Sequence, residues 1–191
     1  MLLFVRCRTD GRRSIRRASD SGRHTRIPLP ESSYRRRIVA IVPTGRMASM
    51  KILIAVDASP NALRAVAYAA DLLRQMASGS GAVTLINVHD DIGYRYAETF
   101  VGRDAVAQYL RDLALEELKG GERILAEAGI PCRTEIRTGH VAHEIVDFAA
   151  AGGFDLIVLG AKGRSALADL LLGSVAQRVL ATAAQSVLLV R

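Results

Sequence analysis

Glycine and serine residues with a fixed spacing are the first candidates for chemistry in this chain. Gly160, Gly163, Gly173 and Ser174 follow the apolar run 156–159 and precede a helical pattern that begins near Val175. Glycine allows a ligand to approach the backbone, and the first turn of a helix has unpaired N–H groups that favour anions. This spacing between a strand and a helix predicts a phosphate-binding loop.

Each residue in or near this loop can be interpreted either as part of a ligand site or as an ordinary residue of the fold or surface. Asp57, which ends the first apolar run, either lines the ligand site or caps the next helix. Ser174 either bonds a phosphate oxygen or caps its own helix. Lys162 and Arg164 either pair with phosphates or remain solvated. The two glycines at 160 and 163 also suit a tight turn without a ligand.

The elements that must position these residues alternate along the chain. Apolar runs of strand length are separated by segments with helical spacing of apolar residues. This alternation predicts an α/β fold with a doubly wound, mostly parallel sheet and helices on both faces. Strands are predicted at 52–56, 83–88, 132–138, 154–159 and 186–190, and helices begin near 60, 104, 142 and 174.

Parallel geometry places the carboxyl ends of all strands on one edge, where such sheets bind ligands. Asp57, Val88, Gly139 and Gly160 lie at four of these ends. The glycine pair at 120–121 interrupts the second helical pattern and predicts a bend or a local packing demand. The third strand is more polar than the others, as an edge strand would be.

Two common nucleotide motifs are absent from the sequence. In a Walker A loop a lysine follows the second glycine directly, but Gly163 is followed by Arg164. The dinucleotide fingerprint follows the first strand, where this chain has Asp57-Ala58-Ser59-Pro60 without glycine. P-loop NTPase chemistry and NAD or FAD binding are therefore not expected.

The pattern that is present, Gly-x2-Gly-x9-Gly-Ser, resembles the ATP-binding branch of the universal stress protein family. The Val56-Asp57-Ala58-Ser59 turn and the terminal Ser-Val-Leu-Leu-Val extend the resemblance over residues 50–191. It implies a Rossmann-like sheet, similar to adenine nucleotide α-hydrolases, in the order 3-2-1-4-5. It further implies a cytoplasmic homodimer that responds to stress.

The resemblance also implies a role for each site residue. The Val88 backbone would meet the adenine, Ala55 and Asp57 would line the base and ribose pocket, and Gly160 would contact the ribose. The phosphates would be held by Gly163, Gly173, Ser174 and Val175, with Lys162 and Arg164 as further candidates. Because a carboxylate near phosphates repels them, Mg²⁺ at Asp57 is the expected companion of ATP.

Three functional hypotheses remain open. The first is a regulatory module that binds ATP with little or no turnover, because no residue is evident in the sequence as a water-activating base. The second is a slow ATPase or an autophosphorylating enzyme that uses Ser165, Ser174 or Asp57. The third is a nucleic-acid protein, but the basic residues that suggest it are confined to the N-terminal segment. We therefore predict ATP as the ligand, a homodimer that pairs through the last strand, and neither a specific nucleic acid nor a membrane as a partner.

The N-terminal segment differs from the rest in charge. Residues 1–50 contain 12 arginines and three acidic residues, whereas the whole chain has a net charge of +7. We predict a disordered extension or a misassigned start at 1–49 and a universal stress protein domain at 50–191. A transit peptide and a basic arm are the alternatives. Met47 and Met50 are candidate start residues.

Two further observations limit the site. His140 and His143 lie three residues apart at a helix start, which permits a metal site or a solvated pair. Cys7 and Cys132 are the only cysteines, and their isolation predicts neither a disulfide framework nor a zinc cluster. No apolar run reaches the length of about 18 residues that a membrane helix needs.

Overall fold

The computed structural model describes residues 50–75, 81–90, 100–163 and 172–191. The predictions for residues 1–49, for Arg164 and for Ser165 lie outside these ranges. Within them, strands and helices alternate as the sequence predicts. The strands are β1 (Lys51–Ala55), β2 (Ala82–His89), β3 (Cys132–Thr138), β4 (Leu156–Gly160) and β5 (Ser186–Val190). The helices are α1 (Pro60–Gln75), α2 (Arg103–Glu127), α3 (Val141–Ala151) and α4 (Ser174–Thr182).

The five strands form one parallel sheet in the order β3-β2-β1-β4-β5. In the middle of the sheet, Ile54 lies opposite Leu85 of β2 and Val158 of β4. The side chains of Ile52, Leu53 and Ile54 are fully buried, because helices cover both faces of the central strands. The predicted fold class and strand order are confirmed.

Two separate cores lie on the two faces of the sheet. On one face, Ile54 packs with Val66 of α1 and Leu118 of α2. On the other face, Leu53 packs with Ile145 of α3 and Val179 of α4. Because successive residues of a strand point to opposite faces, this division also tells which way each site residue on the strands points.

Helix α2 runs through the Gly120-Gly121 pair without interruption. A Cβ on Gly121 would lie 3.1 Å from Leu85 Cδ1, and one on Gly120 would lie 3.0 Å from Leu63 Cδ2. The pair therefore meets the predicted packing demand by letting α2 approach α1 and the sheet closely. Neither α2 nor any other helix in the described ranges is long and apolar enough to cross a membrane.

The two edge strands differ in character. β3 carries Arg133, Glu135 and Arg137, and Arg137 forms ion pairs with Glu135 and with Glu144 of α3. β5 has the sequence Ser-Val-Leu-Leu-Val and contains no charged residue. Charged residues protect a sheet edge against pairing with another strand. Of the two edge strands, β3 carries such charges within its described residues and β5 does not.

Candidate functional site

The site lies where the direction of winding changes, between β1 and β4. These strands are neighbours, but α1 follows β1 onto one face and α4 follows β4 onto the other. The two connections diverge and leave a crevice at the carboxyl edge of the sheet. Asp57 lies on the first connection, and Gly163 and Gly173 lie on the second.

The first connection is a tight turn closed by Asp57. Its Oδ1 atom accepts a hydrogen bond from the Ser59 backbone N–H at 3.1 Å. Ala58 between them has φ 57°, in the left-handed region that non-glycine residues seldom adopt. Ser59 Oγ accepts a hydrogen bond from the Ala62 N–H at 3.2 Å, so Ser59 is the residue that caps α1. Asp57 therefore shapes the turn and does not cap the helix.

The second oxygen of Asp57 faces the glycine loop. A Cβ built on Gly163 would lie 2.9 Å from Asp57 Oδ2. The structure thus brings these two predicted site residues together from different strands, although 106 positions separate them along the chain. Glycine at 163 leaves the space beside the carboxylate open.

Gly160 has a packing role that the sequence did not reveal. A Cβ at this position would lie 2.8 Å from the Asn61 carbonyl carbon and 2.9 Å from the Ala62 nitrogen. Both atoms belong to the backbone at the start of α1, which has little freedom to move. Gly160 therefore lets α1 pack closely against β4, whether or not a ligand is present.

Asn61 also connects α1 with the glycine loop. Its Nδ2 atom donates a hydrogen bond to the Lys162 carbonyl at 3.1 Å, and its Oδ1 accepts one from Arg64. The Lys162 side chain is half-buried. These contacts hold the Lys162–Gly163 backbone beside the Asp57 turn.

Gly173 is held at the start of α4 without needing to be glycine. Its N–H donates to the Ala161 carbonyl at 2.9 Å, and its φ of −62° is accessible to any residue. A Cβ there would have ordinary contacts, with Gly163 N and Lys162 Cα both at 3.5 Å. Neither backbone conformation nor packing in the described residues accounts for a glycine at this position.

Ser174 is the first residue of α4 and does not cap it. The capping position is Gly173, and no side chain of the described residues caps this helix. The Ser174 side chain is exposed, while Val175 packs against the core beneath α3 and α4. The N-terminus of α4 therefore presents backbone N–H groups and a hydroxyl next to Gly163, an arrangement suited to an anion.

Ala55 and Val88 lie on the face of the sheet that α3 and α4 cover. Both pack against the core on that side, and both are partly buried. Ala55 ends β1 opposite Ile86, so it lies close to the end of β2 that carries Val88. All predicted site residues that the structure describes thus lie at or near the carboxyl edge.

A buried polar cluster next to this edge was missed by the sequence analysis. Asn87 Nδ2 donates to the Val56 carbonyl at 2.9 Å and to Glu117 Oε2 at 2.8 Å. The exposed fractions are 1% for Asn87 and 7% for Glu117. His89 Nε2 lies 3.7 Å from the same Glu117 oxygen. The available signal was an amide within the apolar run of β2 and a carboxylate on the buried side of α2.

The histidine pair at the start of α3 is bonded to α4. The rings of His140 and His143 are 4.5 Å apart, and Arg178 Nη1 lies 2.8 Å from His140 Nε2. Because a guanidinium only donates, the His140 nitrogen accepts this hydrogen bond. Where the structure describes the chain, no group of three or more potential ligands forms a metal site. His140 therefore links the start of α3 to α4 at the surface.

Comparison with known proteins shows which family has this architecture. The sequence model of the universal stress protein family matches residues 49–191. Universal stress protein MJ0531 of Methanocaldococcus jannaschii is 31% identical over 152 residues, which cover 80% of this chain and 88% of the relative. Universal stress protein YxiE of Bacillus subtilis is 30% identical over 148 residues, or 74% of this chain and 98% of the relative.

Solved structures agree with the sequence relatives. Hypothetical protein MJ0577 superposes with a TM-score of 0.66 at 27% identity, covering 76% of this chain and 96% of that one. The universal stress protein from Archaeoglobus fulgidus in complex with dAMP has a TM-score of 0.55 at 23% identity, covering 74% and 98%. The latter shows a common fold. From the family match and the relatives together, this chain belongs to the universal stress protein family.

Proposed function

We propose that this universal stress protein is a regulatory module that binds ATP with little or no turnover. The observation that carries the proposal is the environment of Gly173. Within the described residues, neither its φ nor its packing requires this glycine, and it begins a helix beside Gly163 that no side chain of those residues caps. An anionic ligand that approaches the backbone would explain both features.

The proposed ligand extends along the carboxyl edge from β2 to α4. The Val88 backbone would meet the adenine, and Ala55, Asp57 and Gly160 would line the base and ribose pocket. The phosphates would lie against the N-terminus of α4, where backbone N–H groups and the Ser174 hydroxyl donate hydrogen bonds. The proposed phosphate-binding residues are Lys162, Gly163, Arg164, Gly173, Ser174 and Val175.

A divalent cation fits the chemistry of Asp57. One oxygen of this carboxylate closes the turn to Ser59, and the other faces Gly163, where the phosphates are proposed to bind. Mg²⁺ commonly uses one carboxylate together with phosphate oxygens and water. We therefore infer that Asp57 participates in an ATP–Mg²⁺ complex and that ATP without the cation binds less tightly.

The fold of the relatives supports an adenine nucleotide as the ligand. The Archaeoglobus fulgidus protein is described in complex with dAMP, and it has the same fold as this chain. At 23% identity this likeness shows a common fold only, so an adenine nucleotide as the ligand of this chain is our proposal.

The positions of the histidines and of Glu117, which could act as acids or bases, favour binding over catalysis. His89 and Glu117 are buried with each other, and their positions on β2 and α2 direct them to the opposite face from Val88. His140 accepts a hydrogen bond from Arg178. The enzymatic alternative uses Ser165, Ser174 or Asp57, and of these the Ser174 hydroxyl is not used as a helix cap and would lie close to the proposed phosphates.

We further propose a cytoplasmic homodimer that pairs through β5. This edge strand is apolar and uncharged, whereas the opposite edge is protected by charged side chains. Pairing of two β5 strands about a twofold axis would satisfy their backbone groups. The free Cys132 thiol agrees with a reducing compartment.

Calorimetric titration of the chain with ATP, ADP and AMP, with and without Mg²⁺, tests the proposal. In the natural chain we expect the affinity to rise from AMP to ATP. Gly173→Val should abolish this rise, because the valine side chain would occupy the space proposed for the phosphates. Ala181→Val is the matched control, since Ala181 lies exposed on the same helix. Circular dichroism would verify that both variants fold.

Three results would contradict the proposal in different ways. Absence of nucleotide binding by the natural chain would refute the function itself. Unchanged ATP affinity of the Gly173→Val variant would refute the phosphate site at α4. Steady release of ADP at about 1 s⁻¹ or faster, a usual enzymatic rate, would refute the regulatory module and support the enzymatic alternative.

A further inference from the structure

The cluster of Asn87 and Glu117 is too buried to be an ordinary surface contact. A buried amide and a buried carboxylate are costly unless hydrogen bonds compensate for the loss of water. Here both Nδ2 hydrogens of Asn87 are used, one by the Val56 carbonyl at 2.9 Å and one by Glu117 at 2.8 Å. The cluster connects three elements, since Val56 follows β1, Asn87 lies on β2 and Glu117 lies on α2.

The contact with Val56 fixes the backbone at the point where β1 becomes the Asp57 turn. The Val56 N–H donates to the Ile86 carbonyl at 2.9 Å, and the Val56 carbonyl accepts from Asn87. Both backbone groups of this residue are thus bonded to β2, one of them through a side chain. The next residues are Asp57 and Ala58, whose φ of 57° is unfavourable for alanine.

A turn that contains such a residue must be held by its surroundings. On its far side it is held by the Asp57–Ser59 hydrogen bond and by the capped start of α1. On its near side it is held by the bond from Asn87 to the Val56 carbonyl. Loss of that bond would allow the turn to relax and would move the Asp57 carboxylate away from Gly163.

Glu117 determines how the Asn87 amide is oriented. An asparagine amide has two donors on one side and an acceptor on the other. With Val56 O and Glu117 Oε2 both acting as acceptors, only the Nδ2 side satisfies both of them. A rotated amide would place its oxygen against two oxygens, so the Glu117 carboxylate excludes that orientation.

We propose that Asn87, oriented by Glu117, is a positioning residue for the ligand site, because it fixes the end of β1 and with it Asp57. This inference rests on the proposed function for the identity of the ligand as an adenine nucleotide. It adds that the base and ribose end of the site depends on a side chain that makes no contact with the ligand. Its effect should therefore already be seen with adenosine, which has no phosphate, and with Mg²⁺ present it should be at least as large for ATP, because Asp57 also takes part in the proposed cation site.

Substitution of Asn87 tests the inference. Asn87→Asp keeps the shape but places an oxygen against the Val56 carbonyl and Glu117. We expect about tenfold weaker binding of adenosine and AMP, the loss that corresponds to about 1.4 kcal/mol, and at least this loss for ATP with Mg²⁺. Asn87→Ser removes both bonds without adding a charge and serves as the second variant if the first does not fold. Glu117→Gln retains an oxygen acceptor and should stay within about threefold of the natural chain.

Amide hydrogen exchange provides the readout that general destabilisation would not reproduce. In the Asn87 variants the Ser59 amide should exchange faster, because its bond to Asp57 is weakened, while amides in the middle of β2 keep their protection. Thr84→Val is the matched control, since Thr84 is a buried polar residue of the same strand that points to the other face. It should change neither the nucleotide affinity nor exchange at Ser59.

The outcomes separate this inference from the proposed function. A natural chain that binds no nucleotide would refute both, whereas unchanged exchange at Ser59 in the Asn87 variants would refute the inference alone. Weaker binding of ATP with unchanged binding of adenosine would also overturn it, since the defect would then concern the phosphates. A loss for Glu117→Gln as large as that for Asn87→Asp would refute the argument that an oxygen acceptor at Glu117 is sufficient to orient Asn87.

Discussion

Gly160 and Gly173 belong to the same motif, but alanine at these positions should have different effects on the stability of the fold. At position 160 the new Cβ would lie 2.8 Å from the carbonyl carbon of Asn61, closer than real Cβ contacts allow. At position 173 the nearest atoms would be 3.5 Å away, an ordinary van der Waals distance. Packing against described residues requires glycine at position 160 but not at position 173.

General values for overpacking and for chain entropy, applied to these contact distances, give the expected magnitude of each effect. Overpacking at Gly160 costs about 1–3 kcal/mol, and the lower entropy of the unfolded chain with alanine returns about 0.4–1 kcal/mol. We expect a net loss of about 1–2 kcal/mol, which lowers the Tm of a chain of this size by about 2–8 °C. At Gly173 the same entropic gain offsets a poorer helix cap, so the net change should stay within about 0.5 kcal/mol.

The assay is thermal and urea unfolding, monitored by circular dichroism in the absence of nucleotide. It compares Gly160→Ala and Gly173→Ala with the natural chain. Gly173→Ala should then be titrated with ATP to separate stability from binding. An unchanged Tm for Gly160→Ala would show that α1 does not pack against β4 as described. A large loss of stability for Gly173→Ala would show that this glycine has a structural role and would remove the main argument for a ligand there.

Two further predictions concern residues outside the glycine loop. Ser59→Ala should lower the free energy of unfolding in urea by about 1 kcal/mol, because it removes the cap of α1. Ser59→Thr should retain most of this stability, since threonine also caps helices, and equal stability of the two variants would contradict the capping role. Burial and then the charge of Glu122 raise the pKa of the Cys132 thiol, so less of it is thiolate at pH 8. In a Cys7→Ser background, iodoacetamide should therefore react slowly with Cys132, and faster in Glu122→Gln; equal rates would contradict the charge effect.

The fold was predictable because each element has a local signal. The fully apolar run at 52–56 indicates a strand covered on both faces, and Ser59-Pro60 marks the start of α1. The polar alternation of β3 indicates an edge strand, and the structure confirms this position. These patterns depend on residues close in sequence, so one sequence is sufficient to read them.

The site was predictable only in part, because its residues meet across long separations. The motif and the ends of the strands identified Asp57 and Gly163 as neighbours at one edge. The packing of Gly160 against Asn61 and the bonds of Asn87 could not be read, since both depend on how closely particular elements approach. The glycine at 160 is explained by this contact alone, so its presence in the motif is not by itself an indication of a ligand.

The contrast between the two sheet edges would limit the size of an assembly built through β5, the pairing proposed above. A strand that adds to β5 extends the sheet on that side, but the outer edge of the combined sheet is then the charged β3 of the second chain. In the proposed dimer, growth by strand addition would stop at two chains, because continued growth needs an edge at both ends that can pair with another strand. Replacing the charged residues of β3 with apolar ones would allow this edge to pair as well, so that the proposed dimer could add further chains and polymerise.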